Sequence, residues 1–205
     1  IAYKDYFNSE NKSTLLKYVS PVWTPMGNKR FSVVKIDKQN HIISSSNEHI
    51  VAIASASTDV PAFPRRSLYV GKFEQNQWNS ISPSGITQIA GLNLFNGMDG
   101  RTYLALLDRT TGLIKLTMLK LNGNEWTLMG PPSFTTADGA VGVNSVFGTI
   151  DKAGQAYIVF QQTVSGIRRN RVLKFNGTTW DDLPIPGTSE SQDAKYSIAT
   201  HPDGT

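Results

Sequence analysis

Apolar residues come in short runs of about four to eight, each bounded by turn-forming residues, and no stretch of about 11 or more carries a helical period. The runs are rich in Val, Ile, Leu, Phe, Tyr and Thr, side chains that suit a pleated, half-buried surface. They fall into sets of four, which are named a to d. Strand a is expected around residues 41–46, 91–96, 143–149 and 195–200, and strand b at 1–5, 50–55, 103–108 and 157–162. Strand c is expected at 13–18, 67–73, 115–121 and 171–175, and a short strand d starts at each tryptophan.

Two markers keep step with these runs. A lysine stands six positions before each of Trp23, Trp78, Trp126 and Trp180, and an apolar residue (Met26, Ile81, Met129, Leu183) stands three positions after. Independently, Asn47, Asp99, Asp151 and Asp203 are spaced by 52 residues (99 − 47, 151 − 99, 203 − 151), with Gly100, Gly154 and Gly204 shortly after three of them. Asp-Gly and Asn-Gly pairs form tight turns, because glycine accepts the positive φ that such turns need.

Four-stranded antiparallel units repeating at about 50 residues predict an all-β chain, a β-propeller with four-stranded blades. A β-sandwich is the alternative, but it has no reason to repeat its tryptophans and aspartates in register. The end at Asp203-Gly204 follows a strand a, and the start at residues 1–5 matches a strand b. Joining them completes one blade, so a four-bladed ring closed by strand exchange between the termini is expected. Residues 1–205 then form a single domain, or four blades' worth of a larger propeller.

Composition narrows the function. No apolar run approaches the roughly 20 residues of a membrane-spanning helix, which predicts no membrane insertion. The chain lacks cysteine, which excludes disulfides and thiolate metal sites. The net charge of +4 is spread along the sequence without a Lys/Arg block, so nucleic acid is not an expected partner. Ile1 reads as a processing boundary. His41, His49 and His201 are single, and no metal or cofactor is expected.

The segment Lys174-Phe175-Asn176-Gly177-Thr178-Thr179-Trp180, with its Asp203-Gly204 turn, resembles the propeller repeats of secreted and surface proteins of bacteria. It has a partial similarity to the Asp-box of sialidase-like propellers, although Phe175 and Leu173 stand where that box has Asp and Ser. The resemblance implies an extracellular, cell-surface or periplasmic setting and brings no catalytic residue set.

The tryptophans offer two roles, sugar-stacking platforms or wedges between neighbouring blades. One per blade at a fixed register favours the wedge, since a large aromatic buries on the order of 150–250 Å². The preceding lysine is expected to be solvated or laid over the indole. For a ligand, the b-c and d-a connections are expected to be long and to share one face. That face gathers Lys12, Arg65, Arg66, Arg109, Lys115, Arg168, Arg169 and Arg171, with Tyr6, Phe7 and Phe63. Such a ring suits an anionic glycan, a phosphate or an acidic partner, because arginine presents a planar fork to those groups. The expected function is a lectin-like, non-catalytic binding module, with a protein-interaction scaffold as the alternative. Asp5 and Asp108 occupy equivalent places at the end of strand b, which also raises a glycoside hydrolase using two carboxylates. Asn11-Lys12-Ser13 and Asn176-Gly177-Thr178 match glycosylation sequons.

Overall fold

A computed structural model describes residues 2–7, 10–31, 36–44, 49–55, 67–111, 114–131, 146–164, 167–184, 197–200 and 203. All regular structure among the described residues is β. The strands are β1 (Ala2–Phe7), β2 (Glu10–Val19), β3 (Val22–Pro25), β4 (Ile36–Ser44), β5 (His49–Ser55), β6 (Leu68–Glu74) and β7 (Gln77–Ser80). They continue with β8 (Ile89–Asn96), β9 (Thr102–Asp108), β10 (Lys115–Asn122), β11 (Glu125–Leu128), β12 (Val146–Ile150), β13 (Ala156–Val164), β14 (Ile167–Phe175) and β15 (Trp180–Leu183). They form four antiparallel meanders: β1-β2-β3, β4-β5-β6-β7, β8-β9-β10-β11 and β12-β13-β14-β15. The chain divides into two compact units, residues 1–88 and 89–205, with two sheets in each.

All fifteen strands overlap places where the sequence pattern puts one, β3 being the first strand d, and they account for fifteen of the sixteen expected. The expected strand at 195–200 is different. Residues 197–200 make no ladder, 195 and 196 lie outside the described residues, and the first sheet has three strands. Closure by strand exchange between the termini is therefore not seen among the described residues. The run carries the right side chains, but a strand exists only when a neighbour takes up its N–H and C=O groups.

The turns obey local chemistry. Gln75 and Asn76 both have positive φ (51° and 62°) in the two-residue loop between β6 and β7, the geometry that matches strand twist in tight hairpins. Between β10 and β11, Gly123 at φ 63° takes the first loop position.

In unit 89–205 the core runs across both sheets. Tyr103, Ala105 and Leu107 of β9 pack with Leu116 and Met118 of β10, and with Val146, Ile150, Ala156, Ile158 and Phe160 of the next sheet. These alternate positions share a face because successive strand residues point to opposite sides. Leu104 and Leu106, on the other face of β9, are equally buried. Close approach of β12 to β8 needs Gly148: a Cβ there would lie 2.6 Å from Phe95 Cε1, and the Gly148 N–H donates to Asn93 Oδ1 at 3.0 Å. In unit 1–88, Val51 and Tyr69 are the core of the second sheet, with Phe31 and Trp78 packed on them.

Candidate functional site

The tryptophan repeat resolves into a joint between consecutive sheets. The Trp78 indole N–H donates to the Met26 carbonyl at 2.8 Å, and the Trp180 indole N–H donates to the Met129 carbonyl at 3.1 Å. Met26 and Met129 are the apolar residues three positions past the preceding tryptophan, and their own N–H groups bond to the carbonyls of Leu15 and Met118. They thus extend the ladder by one residue before the chain turns away. It turns at Gly27 (φ 69°) and Gly130 (φ 82°), on which the indoles lie so closely that a Cβ would meet Trp78 Cδ1 at 3.3 Å or Trp180 Nε1 at 2.7 Å. Phe31 completes the first joint, stacked on Trp78 with centroids 4.4 Å apart. Neither glycine nor Phe31 was singled out by the sequence reading. The available signal was the sequence Trp-Thr-x-Met-Gly, which occurs at 23–27 and again at 126–130.

Register rules against one of the two roles expected for the lysines, the stem laid over the indole, while Lys17 is exposed as the other expects. Trp23, Trp78, Trp126 and Trp180 face Tyr18, Phe73, Leu121 and Phe175 across the hairpin, while the lysines face Thr24, Asn79, Thr127 and Asp181. Neighbouring strand positions point to opposite faces, so the lysine and the indole part company. Lys174 lies instead over the Tyr157 ring at 5.8 Å, and buried Lys72 pairs with Glu74 at 2.9 Å.

The aspartate marker is a turn staple. Asp99 accepts from the Arg101 N–H (3.2 Å) and from the Tyr103 hydroxyl (2.6 Å). Asp151 accepts from the Gln155 N–H (2.8 Å) and, more distantly, from the Tyr157 hydroxyl (3.5 Å). Burial, aided by the Asp99 carboxylate, pushes the Tyr103 phenol well above its ordinary value. Asp203 lies in a turn, whereas Asn47 is outside the described residues.

The binding face expected from long b-c loops changes in shape. Residues 56–67 and 109–114 do form long b-c connections, but β1-β2 and β13-β14 are joined by only two residues, 8–9 and 165–166. The ladders simply run on through Tyr6 and Phe7 and through Thr163 and Val164. Lys12, Arg168 and Arg169 are consequently strand residues rather than loop residues, facing Asp5, Thr163 and Gln162. Tyr6 faces Asn11 within the same ladder. Arg65, Arg66 and Phe63 lie outside the described residues.

The two candidate carboxylates share a position. Asp5 stands across from Lys12, and Asp108 across from Lys115, so each strand end sets an acid opposite a base. Opposite charges placed as Asp108 and Lys115 are contribute roughly 0.2–1 kcal/mol to a sheet. Asp108 also accepts from the Thr110 N–H at 2.8 Å, which fixes the start of the loop carrying half-buried Arg109.

In unit 89–205 the two sheets present their b-c ends together. The Met98 N–H, in the a-b turn after β8, bonds to the carbonyl of Ile150 at the end of β12 (3.2 Å), so both a-b turns lie at one end. The b-c ends, with Arg109, Lys115, Arg168 and Arg169, therefore share the other. Arg169 is exposed. Arg171, two residues on, is engaged by Asp182 and lies over the Phe160 ring at 5.9 Å.

Other candidates are occupied or isolated. Asn176 of the second sequon is bound into its turn, its Oδ1 accepting from the N–H groups of Thr178 and Thr179. His41 is on β4, His49 on β5 lies 6.3 Å from the Phe73 ring, and His201 is outside the described residues. Among the described residues no cluster of His, Asp and Glu could hold a metal ion.

No protein-family profile matches the chain, and no curated protein sequence does. Among solved structures it is similar to a fucose lectin from Kordia zhangzhouensis in complex with methyl-fucoside. That similarity has a TM-score of 0.42 and 16% identity, over 72% of this chain and 99% of the lectin chain.

Proposed function

We propose that the chain is a β-propeller whose blades are the four sheets, and that it acts as a non-catalytic, extracytoplasmic module binding carbohydrate or an anionic ligand. The observation that supports this most is the shared b-c end of unit 89–205. There Arg109 on a loop anchored by Asp108, together with Lys115 and Arg169 on strands, sets three cations at one end of the pair of sheets. The ladder already holds the backbones of Lys115 and Arg169, so binding has to order only their side chains. Carboxylate or sulfate groups on a glycan suit the guanidinium fork.

The hydrolase reading is disfavoured because Asp108 is committed to its turn, accepting from the Thr110 N–H. A glycan array containing neutral, uronate and sulfated sugars tests the proposal. Binding to acidic glycans that falls at least tenfold in Arg109→Ala and Arg169→Ala is the expected result. A blank array, or binding unchanged by both substitutions, rejects it.

A further inference from the structure

The chain holds three Asn-Gly pairs, at 96–97, 122–123 and 176–177. In such a pair the glycine nitrogen can attack the asparagine side-chain carbonyl, because no Cβ on the following residue stands in the way. The chemistry is the same in all three, so the folded structure decides which of them reacts. Asn96 and Asn122 are the last residues of β8 and β10, held extended opposite Thr102 and Glu125. Their side chains reach sideways across the hairpin. Asn96 Oδ1 accepts from the Thr102 hydroxyl at 3.1 Å, and the Asn122 amide donates to Thr127 Oγ1 at 2.9 Å. Gly97 is also closed as a nucleophile, because its N–H donates to the Arg101 carbonyl at 2.9 Å and Asp99, Ile150 and Tyr103 crowd its Cα.

Asn176 is built differently. It follows the end of β14, outside the ladder, and its side chain folds forward over the next peptide. There Oδ1 accepts from the N–H groups of Thr178 (3.0 Å) and Thr179 (2.8 Å). That is the direction in which Cγ approaches the Gly177 nitrogen. Two N–H donors on one carbonyl oxygen also draw electrons from Cγ and stabilise the negative charge that gathers on Oδ1 during attack, as in an oxyanion hole. The departing nitrogen, Nδ2, donates to Thr179 Oγ1 (2.9 Å) and to both Asp181 oxygens (3.1 Å each), which puts proton carriers beside it. Among the described residues the Gly177 N–H has no acceptor, and a Cβ there would meet nothing within 4 Å. Electrophile and nucleophile are thus both prepared in one exposed turn.

We propose that Asn176 is a self-modification site, at which the folded chain converts its own asparagine through a cyclic imide and so loosens the Trp180 joint. The Gly177 nitrogen bonds to Asn176 Cγ, the Cγ–Nδ2 bond breaks, and the proton from the Gly177 N–H leaves with Nδ2 as ammonia. Water then opens the imide at either carbonyl, giving aspartate or isoaspartate. No oxidant or cofactor takes part. Either product sets a new carboxylate beside that of Asp181, where like charges repel. Isoaspartate also inserts the side-chain methylene into the main chain of the turn that brings Phe175 opposite Trp180. The change therefore falls on the hairpin whose indole bonds to Met129 and lies on Gly130. It is independent of the ligand proposed above.

Prolonged incubation of the folded chain at mildly alkaline pH tests it, followed by peptide mass spectrometry with chromatographic separation of the isoaspartate forms. Conversion at Asn176 is expected to run about tenfold faster than at Asn122, with Asn96 slowest, the cradled Oδ1 making the difference. In urea the three rates are expected to converge, since the unfolded pairs share one chemistry. Converted protein, separated from its parent, is expected to unfold at a lower urea midpoint. Conversion at Asn176 no faster than at Asn122 in the folded chain overturns the proposal, and so does a rate advantage that persists in urea. A converted fraction that unfolds at the parent's midpoint overturns the effect on the joint.

Discussion

Trp180 and Trp23 sit at the same register in two hairpins, against the same kind of aromatic neighbour, yet one is a joint and the other is surface. Trp180 rests on Gly130 and bonds to Met129; Trp23 is 46% exposed. The contrast extends to their sheets. β9, in unit 89–205, is buried along Thr102–Leu107 on both faces, whereas the second half of β2 is exposed from Lys17 onward. An aromatic at a repeated position acquires its role from the surface brought to it.

The sharpest way to break the comparison is to remove both rings in turn. Trp180→Ala is expected to destabilise unit 89–205 by about 2–4 kcal/mol, from lost burial and the orphaned Met129 carbonyl. Trp23→Ala is expected to cost less than about 1 kcal/mol, as for other exposed positions. Equal shifts in the urea midpoint would mean that Trp23 is seated after all.

Next in size is Gly130→Ala. It combines positive φ with a Cβ 2.7 Å from Trp180 Nε1, and about 1–3 kcal/mol is expected. Gly123→Ala shares the positive φ but meets nothing within 4 Å, so about 1 kcal/mol or less is expected. The difference between the two melting curves isolates the cost of pushing the indole off its seat.

Tyr103→Phe is expected to cost about 1 kcal/mol, since Asp99 keeps the Arg101 N–H as a donor. Because the folded-state pKa of Tyr103 lies above the ordinary 10.0, its linked stability is complete below pH 10.0 and is lost as pH rises from there through the folded-state value. Alkaline unfolding followed at the tyrosinate absorbance should show this loss in wild type and less of it in Tyr103→Phe. The smallest effect is expected at Arg171-Asp182. A double-mutant cycle on this solvent-accessible pair should give about 0–1 kcal/mol, and a larger coupling would mean that the Phe160 contact shares in it.

Much of the fold was legible in the sequence. Alternating apolar runs located the strands, and the tryptophan spacing identified the joint, because strand period and hairpin register are local properties. The seat itself was read less well. Met26 and Met129 were noticed as side chains, but their carbonyls act, and Gly27 and Gly130 act by having no side chain at all. The charged residues were harder still. Lys12, Arg168 and Arg169 looked like loop cations because a polar stretch reads as a loop, whereas their backbones are held in ladders. Charge on an edge or hairpin end costs little when one face stays in water, so polarity alone does not stop a strand.

The sequence by itself determined an all-β chain of repeated antiparallel hairpins, the turns that punctuate it and the pairing of each tryptophan with the residue after the lysine. Those outcomes depend on neighbours a few residues apart. Only the tertiary structure decided which tryptophans are covered, which aspartates are tied into turns, and that residues 197–200 are left without a ladder. Each of these depends on whether a distant surface arrives to take up an N–H, a carbonyl or a ring. A local pattern can offer those groups, but it cannot supply their partners.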